Sequence, residues 1–213
     1  MEVIYNVKKF LLTLMMMFML MLMTNITFAS NAEYLLNSVE LTPMETGFES
    51  CDIAVQETLS RITDDSMSTY EKVKACYDYL IDTCSYGSNE ERHKYLSYVP
   101  DDLVGAGRAA GMLEGHVGAC DDYSCAFAAL VRAIGLNCYT VYGQTSRARG
   151  GMTGHIWTVI NVNGTEYVFD PQIDDNISKG GPTYYYRFCK TYNEVSGCYV
   201  PASYDKYGYF HSF

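Results

Sequence analysis

Cys120, His155 and Asp170 are the residues of this 213-residue chain whose types and spacing fit covalent catalysis. A thiol nucleophile needs an imidazole that takes and returns its proton. The imidazole in turn needs a third group that holds its tautomer and orientation. Cys120 heads the stretch Cys-Asp-Asp-Tyr-Ser-Cys-Ala-Phe-Ala-Ala-Leu-Val-Arg-Ala-Ile-Gly, residues 120–135. Within it Tyr123, Phe127, Leu130, Val131 and Ile134 recur at helical spacing and Gly135 is a natural stop. The spacing predicts a helix that starts at or next to Cys120. The free N–H groups and dipole of a first turn favour a thiolate and could receive the oxyanion of a tetrahedral intermediate. Asp121 and Asp122 suit a positive first turn but repel a neighbouring thiolate.

The other two residues lie on the chain's best hairpin signal. Residues 154–162 read as a strand, Asn163-Gly164 as a two-residue turn, and residues 165–170 as the returning strand, which Pro171 ends. With Val162 facing Thr165, Trp157 faces Asp170 and His155 faces Gln172. His155, Trp157 and Asp170 then share one face, and His155 and Asp170 are diagonal neighbours with Cβ atoms roughly 7 Å apart. An imidazole and a carboxylate can close that gap with a hydrogen bond.

The remaining elements follow from the same rules. Residues 53–62 suggest a short helix, and 69–83 a clear one with Tyr70, Val73, Tyr77, Leu80 and Ile81 on one stripe and Ser68 or Thr69 as cap. Residues 88–102, polar and containing Pro100, read as a loop. Residues 103–113 form a glycine-interrupted helical stretch, 137–143 a strand, and 146–154 a flexible loop. Residues 172–213, rich in tyrosine, offer edge strands and a covering layer, with Asp174-Asp175-Asn176 as a solvated turn. Helices first and antiparallel strands after is the α+β pattern.

Lys8 and Lys9, the apolar run 10–23 and Thr27-Phe28-Ala29 form an export signal over residues 1–29. An uncleaved membrane anchor is the alternative, although the run is short of the roughly twenty residues needed to span a bilayer. The reading is of a secreted or cell-surface protein with an N-terminal extension (30–64) and one domain (65–213). Without Glu2, Lys8 and Lys9 the chain keeps 13 basic and 24 acidic residues, a net charge of −11. That argues against nucleic acid as a partner and gives no basic stripe for anionic lipid. All eight cysteines lie after the signal, and in an exported protein they should mostly pair as disulfides. Cys125 is the candidate inert core thiol. No spacing of Cys, His and acidic residues matches an established zinc or calcium pattern, so no metal and no cofactor are expected.

Gly118-Ala119-Cys120-Asp121-Asp122-Tyr123 with its helix, Gly154-His155-Ile156-Trp157, and Phe169-Asp170-Pro171 together resemble the transglutaminase-like superfamily in order and spacing. The resemblance covers roughly residues 65–175. It implies a papain-like core: a helix carrying the cysteine, packed on an antiparallel sheet carrying the histidine and aspartate. Carried over, Cys120 is the nucleophile, His155 the general base and acid, and Asp170 its orienter. The family's additional oxyanion donor has no secure motif here; Tyr86 and His116 are the candidates. Trp157 is core packing or a wall beside His155, and Tyr86 and Trp157 are the candidate substrate-binding residues. None of the calcium-site features of the large animal enzymes is present. The resemblance implies a thiol enzyme acting on an amide of a protein or peptide, by hydrolysis or by transfer to an amine. The alternative is an inactive module whose tyrosine-rich tail binds peptide or carbohydrate.

Overall fold

The computed structural model describes residues 9–13, 15–16, 32–88 and 90–203. Most of the expected export signal lies outside them. The chain divides into two units, Met1–Ser38 and Val39–Phe213. The first contributes helical turns at residues 9–13, 15–16 and 32–37. No helix among the described residues is long and apolar enough to cross a membrane.

The second unit holds the helices α1 (Glu49–Ile62), α2 (Thr69–Thr83), α3 (Glu90–Leu96), α4 (Val104–Gly115), α5 (Cys120–Ile134) and α6 (Pro171–Ser178). Its strands are β1 (Ser85–Tyr86), β2 (Val117–Gly118), β3 (Cys138–Ser146), β4 (Met152–Val162), β5 (Thr165–Phe169), β6 (Lys190–Thr191) and β7 (Tyr199–Ser203). Five strands form one sheet in the order β6-β5-β4-β3-β7 with every pairing antiparallel, while β1 and β2 form a short parallel pair. This is the α+β arrangement, with helices packed on an antiparallel sheet.

Helix α5 is the centre of the unit. Every residue from Asp122 to Arg132 is buried. The single apolar stripe expected from its spacing is therefore an understatement: α2 and α4 cover one side and β3 and β4 the other. Ala126, Ala128 and Ala129 make that possible, since small side chains let neighbours approach on every side. Gly135 ends the helix at φ 115, a conformation that favours glycine, and its carbonyl accepts from Thr42 N at 2.9 Å.

Helix α2 has the expected bounds. Ser68 caps it in a reciprocal box: its Oγ accepts from Glu71 N at 3.3 Å and the Glu71 carboxylate accepts from Ser68 N at 2.8 Å. The β4–β5 register is also as expected, with Val162 opposite Thr165 and Thr158 opposite Phe169. Asn163 (φ 53) and Gly164 (φ 83) supply the two positive φ angles that the tight turn needs.

Three expectations are corrected. Residues 88–102 are not all loop: α3 and a single 3₁₀ turn, Asp101–Leu103, lie there. Tyr95 and Val99 are buried, and Tyr95 Oη donates to the Glu114 carboxylate at 2.6 Å, so apolar anchoring overrides the polar composition. Asp174-Asp175-Asn176 is not a solvated turn but the middle of α6, with Asp174 fully buried. The eight cysteines form no disulfide: each stands free, six of them buried in different helices, strands and loops as small apolar residues of the core.

Candidate active site

The strand leading into α5, Val117–Gly118, is fixed by pairing with β1. Ser85 N donates to His116 O and Gly87 N to Gly118 O, both at 2.9 Å. Gly118 is tightly enclosed: a Cβ there would lie 2.6 Å from Asp122 Cβ and 2.8 Å from Met112 Sδ. The Asp122 carboxylate turns back to accept from Ala119 N at 2.8 Å, which fixes the start of the helix at Cys120. Cys120 is partly exposed.

The two aspartates flanking the thiol have a partner. The Arg108 guanidinium, from α4, lies 2.5 Å from Asp121 and 3.2 Å from Asp122 through one nitrogen. The repulsion expected between these carboxylates and a thiolate is thereby largely offset. Arg108 is the one basic residue of α4, and nothing in the local pattern gave it a role.

The helix is held on the sheet by two buried hydrogen bonds. Ser124 Oγ donates to Ile156 O at 2.9 Å and Thr158 Oγ1 donates to Ser124 O at 3.2 Å. Ser124 is one turn after Cys120 and Ile156 is next to His155, so this clamp sets the thiol against the imidazole. Cys120 lies close enough to His155 for its side chain to help raise the imidazole.

The β4–β5 ladder stops at Thr158 and Phe169. Trp157 and His155 thus have no partner on β5, and Gln172, expected opposite His155, lies in α6. Asp170 is instead the N-cap of α6, its Oδ1 accepting from Ile173 N at 3.1 Å. Its other oxygen is 2.7 Å from His155 Nε2 and accepts from Tyr199 Oη at 2.6 Å. Both His155 and Asp170 are buried. Burial pulls the His155 imidazole down, but the charge and hydrogen bond of Asp170, followed by Cys120, outweigh it and push it up to about 10.

Trp157 is fully buried. Its ring stacks beside His155 with centroids 6.3 Å apart, and its Nε1 donates to Tyr192 Oη at 3.0 Å. It backs the histidine from within the core and presents no surface to a substrate. Tyr86 is 57% exposed, next to the residue pair that leads into Cys120. Its phenol is raised by partial burial and then by the charge of Cys120, so it lies within electrostatic reach of the thiol. His116 caps α4 at φ 56 and faces Cys84, with Nδ1 and Sγ 4.0 Å apart. Burial raises the Cys125 thiol well above its ordinary value, as suits an inert core residue.

Sequence reasoning missed Arg108, Ser124, Tyr199 and Arg187. Tyr199 is one of twenty tyrosines and has no local signal. Its ring lies against Trp157 at 4.8 Å and near-parallel to His155 at 6.4 Å, and the Arg187 guanidinium sits 5.6 Å from it. Behind Asp170 the buried Asp174 accepts from Tyr77 Oη at 2.6 Å and Arg187 N at 2.9 Å. Burial raises the Asp174 carboxyl to about 7 against those two bonds. Among the described residues no three of His, Cys, Asp and Glu converge as metal ligands. The arrangement brings a thiol at the start of α5 beside an imidazole that is paired with a buried carboxylate.

The family model described as the transglutaminase-like superfamily matches residues 56–171. Among solved structures, a candidate cysteine protease from Cytophaga hutchinsonii is 13% identical, with a TM-score of 0.42 over 76% of this chain. A structure named as a TGase is 19% identical, with a TM-score of 0.40 over 68% of this chain. This chain spans about half (51%) of the first protein and 37% of the second. No curated protein matches.

Proposed function

The chain belongs to the transglutaminase-like superfamily, and on that premise we propose that it is a cysteine-dependent enzyme acting on an amide of a protein or peptide. One observation carries the reading. His155 Nε2 lies 2.7 Å from the Asp170 carboxylate, and with Cys120 beside it the imidazole is raised to about 10. At neutral pH His155 is then an imidazolium, a charge partner for the attacking sulfur and a ready proton donor.

In the proposed reaction the Cys120 sulfur attacks the amide carbonyl, forming a C–S bond and a tetrahedral oxyanion. The N–H of Cys120 itself, at the start of α5, is the group we assign to stabilise that charge. The oxyanion collapses, the C–N bond breaks, and His155 gives its proton to the departing amine. The resulting thioester is attacked by water or by a second amine, whose proton His155 takes. The sulfur leaves as thiolate and the imidazolium is restored. Asp170, buried and held by Ile173 N and Tyr199, keeps His155 oriented throughout. The partly exposed Cys120 supports water as the acceptor, so hydrolysis is the leading form and transfer to an amine the other. Tyr86 is the residue we assign to contact with substrate beside Cys120, and the basic and apolar N-terminal run supports an exported or cell-surface location.

The test compares peptide release from casein with incorporation of a labelled primary amine, for the wild type and Cys120→Ala. Loss of either activity by about a thousandfold or more in the variant supports the mechanism. Turnover that persists without Cys120 sinks it.

A further inference from the structure

Asp170 Oδ2 receives two donors. His155 Nε2 is 2.7 Å away and Tyr199 Oη 2.6 Å away, while the other oxygen is used in capping α6. A carboxylate oxygen that already accepts a phenol hydrogen bond has less electron density for a second donor. We propose that Tyr199 is a further positioning residue of this site, fixing the shared oxygen of Asp170 and limiting how tightly that carboxylate grips the His155 imidazolium. The proposal rests on the thiol mechanism above.

Three observations support it. Tyr199 is 7% exposed, and its ring is wedged between Trp157 and the Arg187 guanidinium, so the hydroxyl has little freedom to turn away. Burial, then Asp170, raises the phenol well above its ordinary value, so it remains a donor across the working pH range. Finally, the strand that carries it is pinned at a tight crossing. A Cβ on Gly143 would lie 2.3 Å from Val200 O, so β7 is held against β3 one residue beyond Tyr199. The functional consequence is at proton delivery. A less tightly held imidazolium gives its proton to the departing amine more readily, and a fixed carboxylate keeps Nε2 from swinging.

The charged and titratable groups facing this cluster are Cys120 from α5, Tyr77 from α2, Asp174 from α6 and Arg187 from the segment before β6. None of them changes in Tyr199→Phe, which keeps the ring and removes only the hydroxyl. The primary readout is the titration midpoint of the His155 imidazole by NMR, measured in Cys120→Ala so that it needs no turnover. In the double variant with Tyr199→Phe the midpoint should rise by about half to one pH unit. In otherwise wild-type enzyme the same change should lower kcat about tenfold and leave KM within about twofold. Tyr192→Phe is the control: it removes a partly buried phenol, bonded to Trp157 and not to Asp170, and should leave the midpoint unchanged. If Tyr199→Phe fails to fold, 3-fluorotyrosine at position 199 keeps the shape and strengthens the donor, and should lower the midpoint. A midpoint that neither substitution moves, or that Tyr192→Phe moves equally, overturns the proposal. Turnover independent of Cys120 would instead overturn the thiol mechanism and leave the titration result standing.

Discussion

At the scale of single residues the site is a set of charges that neutralise one another inside a poorly solvated corner. Arg108 offsets Asp121 and Asp122 beside the thiol, and Asp170 offsets His155. The second pair links the site to stability. His155 ordinarily titrates near 6.5 and is raised to about 10 in the folded chain. Because the folded value is the higher one, its contribution is fully present below about pH 6.5 and is lost as pH rises toward 10. Urea unfolding should therefore show stability falling between pH 7 and 10, by on the order of 2–4 kcal/mol. Asp170→Asn removes the charge that raises the imidazole and should flatten this dependence. An equally steep decline in that variant would count against the coupling.

At the scale of elements the site depends on where regular structure stops. The β4–β5 ladder ends at Phe169, and the next residue leaves the sheet to cap α6. One residue thus ends a strand, starts a helix and orients an imidazole. On the opposite edge, β7 pairs with β3 across a register shift between Tyr142 and Gly143. Gly143 is required there by space: an added Cβ would lie 2.3 Å from Val200 O and 2.8 Å from Trp157 Cη2. Gly143→Ala should cost about 2–4 kcal/mol by displacing β7. It should also lower activity, because Tyr199 moves with that strand. Thermal unfolding and turnover of the same variant check both, and a fully active Gly143→Ala would show that β7 can shift without disturbing Asp170.

At the scale of the whole molecule the eight thiols distinguish a core held by packing from one held by disulfides. Six are buried, and burial pushes Cys51 and Cys189 up to about 12 and Cys84 to about 11. Only Cys120 and Cys198 are partly exposed. Ellman's reagent should find eight thiols after denaturation without reductant. In the native protein it should react quickly with those two alone. Fewer than eight after denaturation would restore the disulfide reading that an exported chain implies.

The amino-acid sequence by itself determined the elements whose rules are local. The cap at Ser68 or Thr69 and the apolar stripe gave α2 its bounds, and the helix start at Cys120 follows from the pattern after Gly118. Asn163-Gly164 set the hairpin register through a turn that few other residue pairs adopt. These are near-neighbour effects, so a chain read a few residues at a time carries them, and they sufficed to bring out Cys120, His155 and Asp170 together. The tertiary structure alone decided how that trio is supported. Arg108 reaches the thiol's neighbours from another helix, Ser124 and Thr158 clamp helix to sheet, and Tyr199 joins Asp170 from 29 residues away. It also decided that Asp170 leaves the ladder and that Asp174 is buried. Those outcomes depend on which surfaces exclude water once distant segments meet, and no local spacing encodes that.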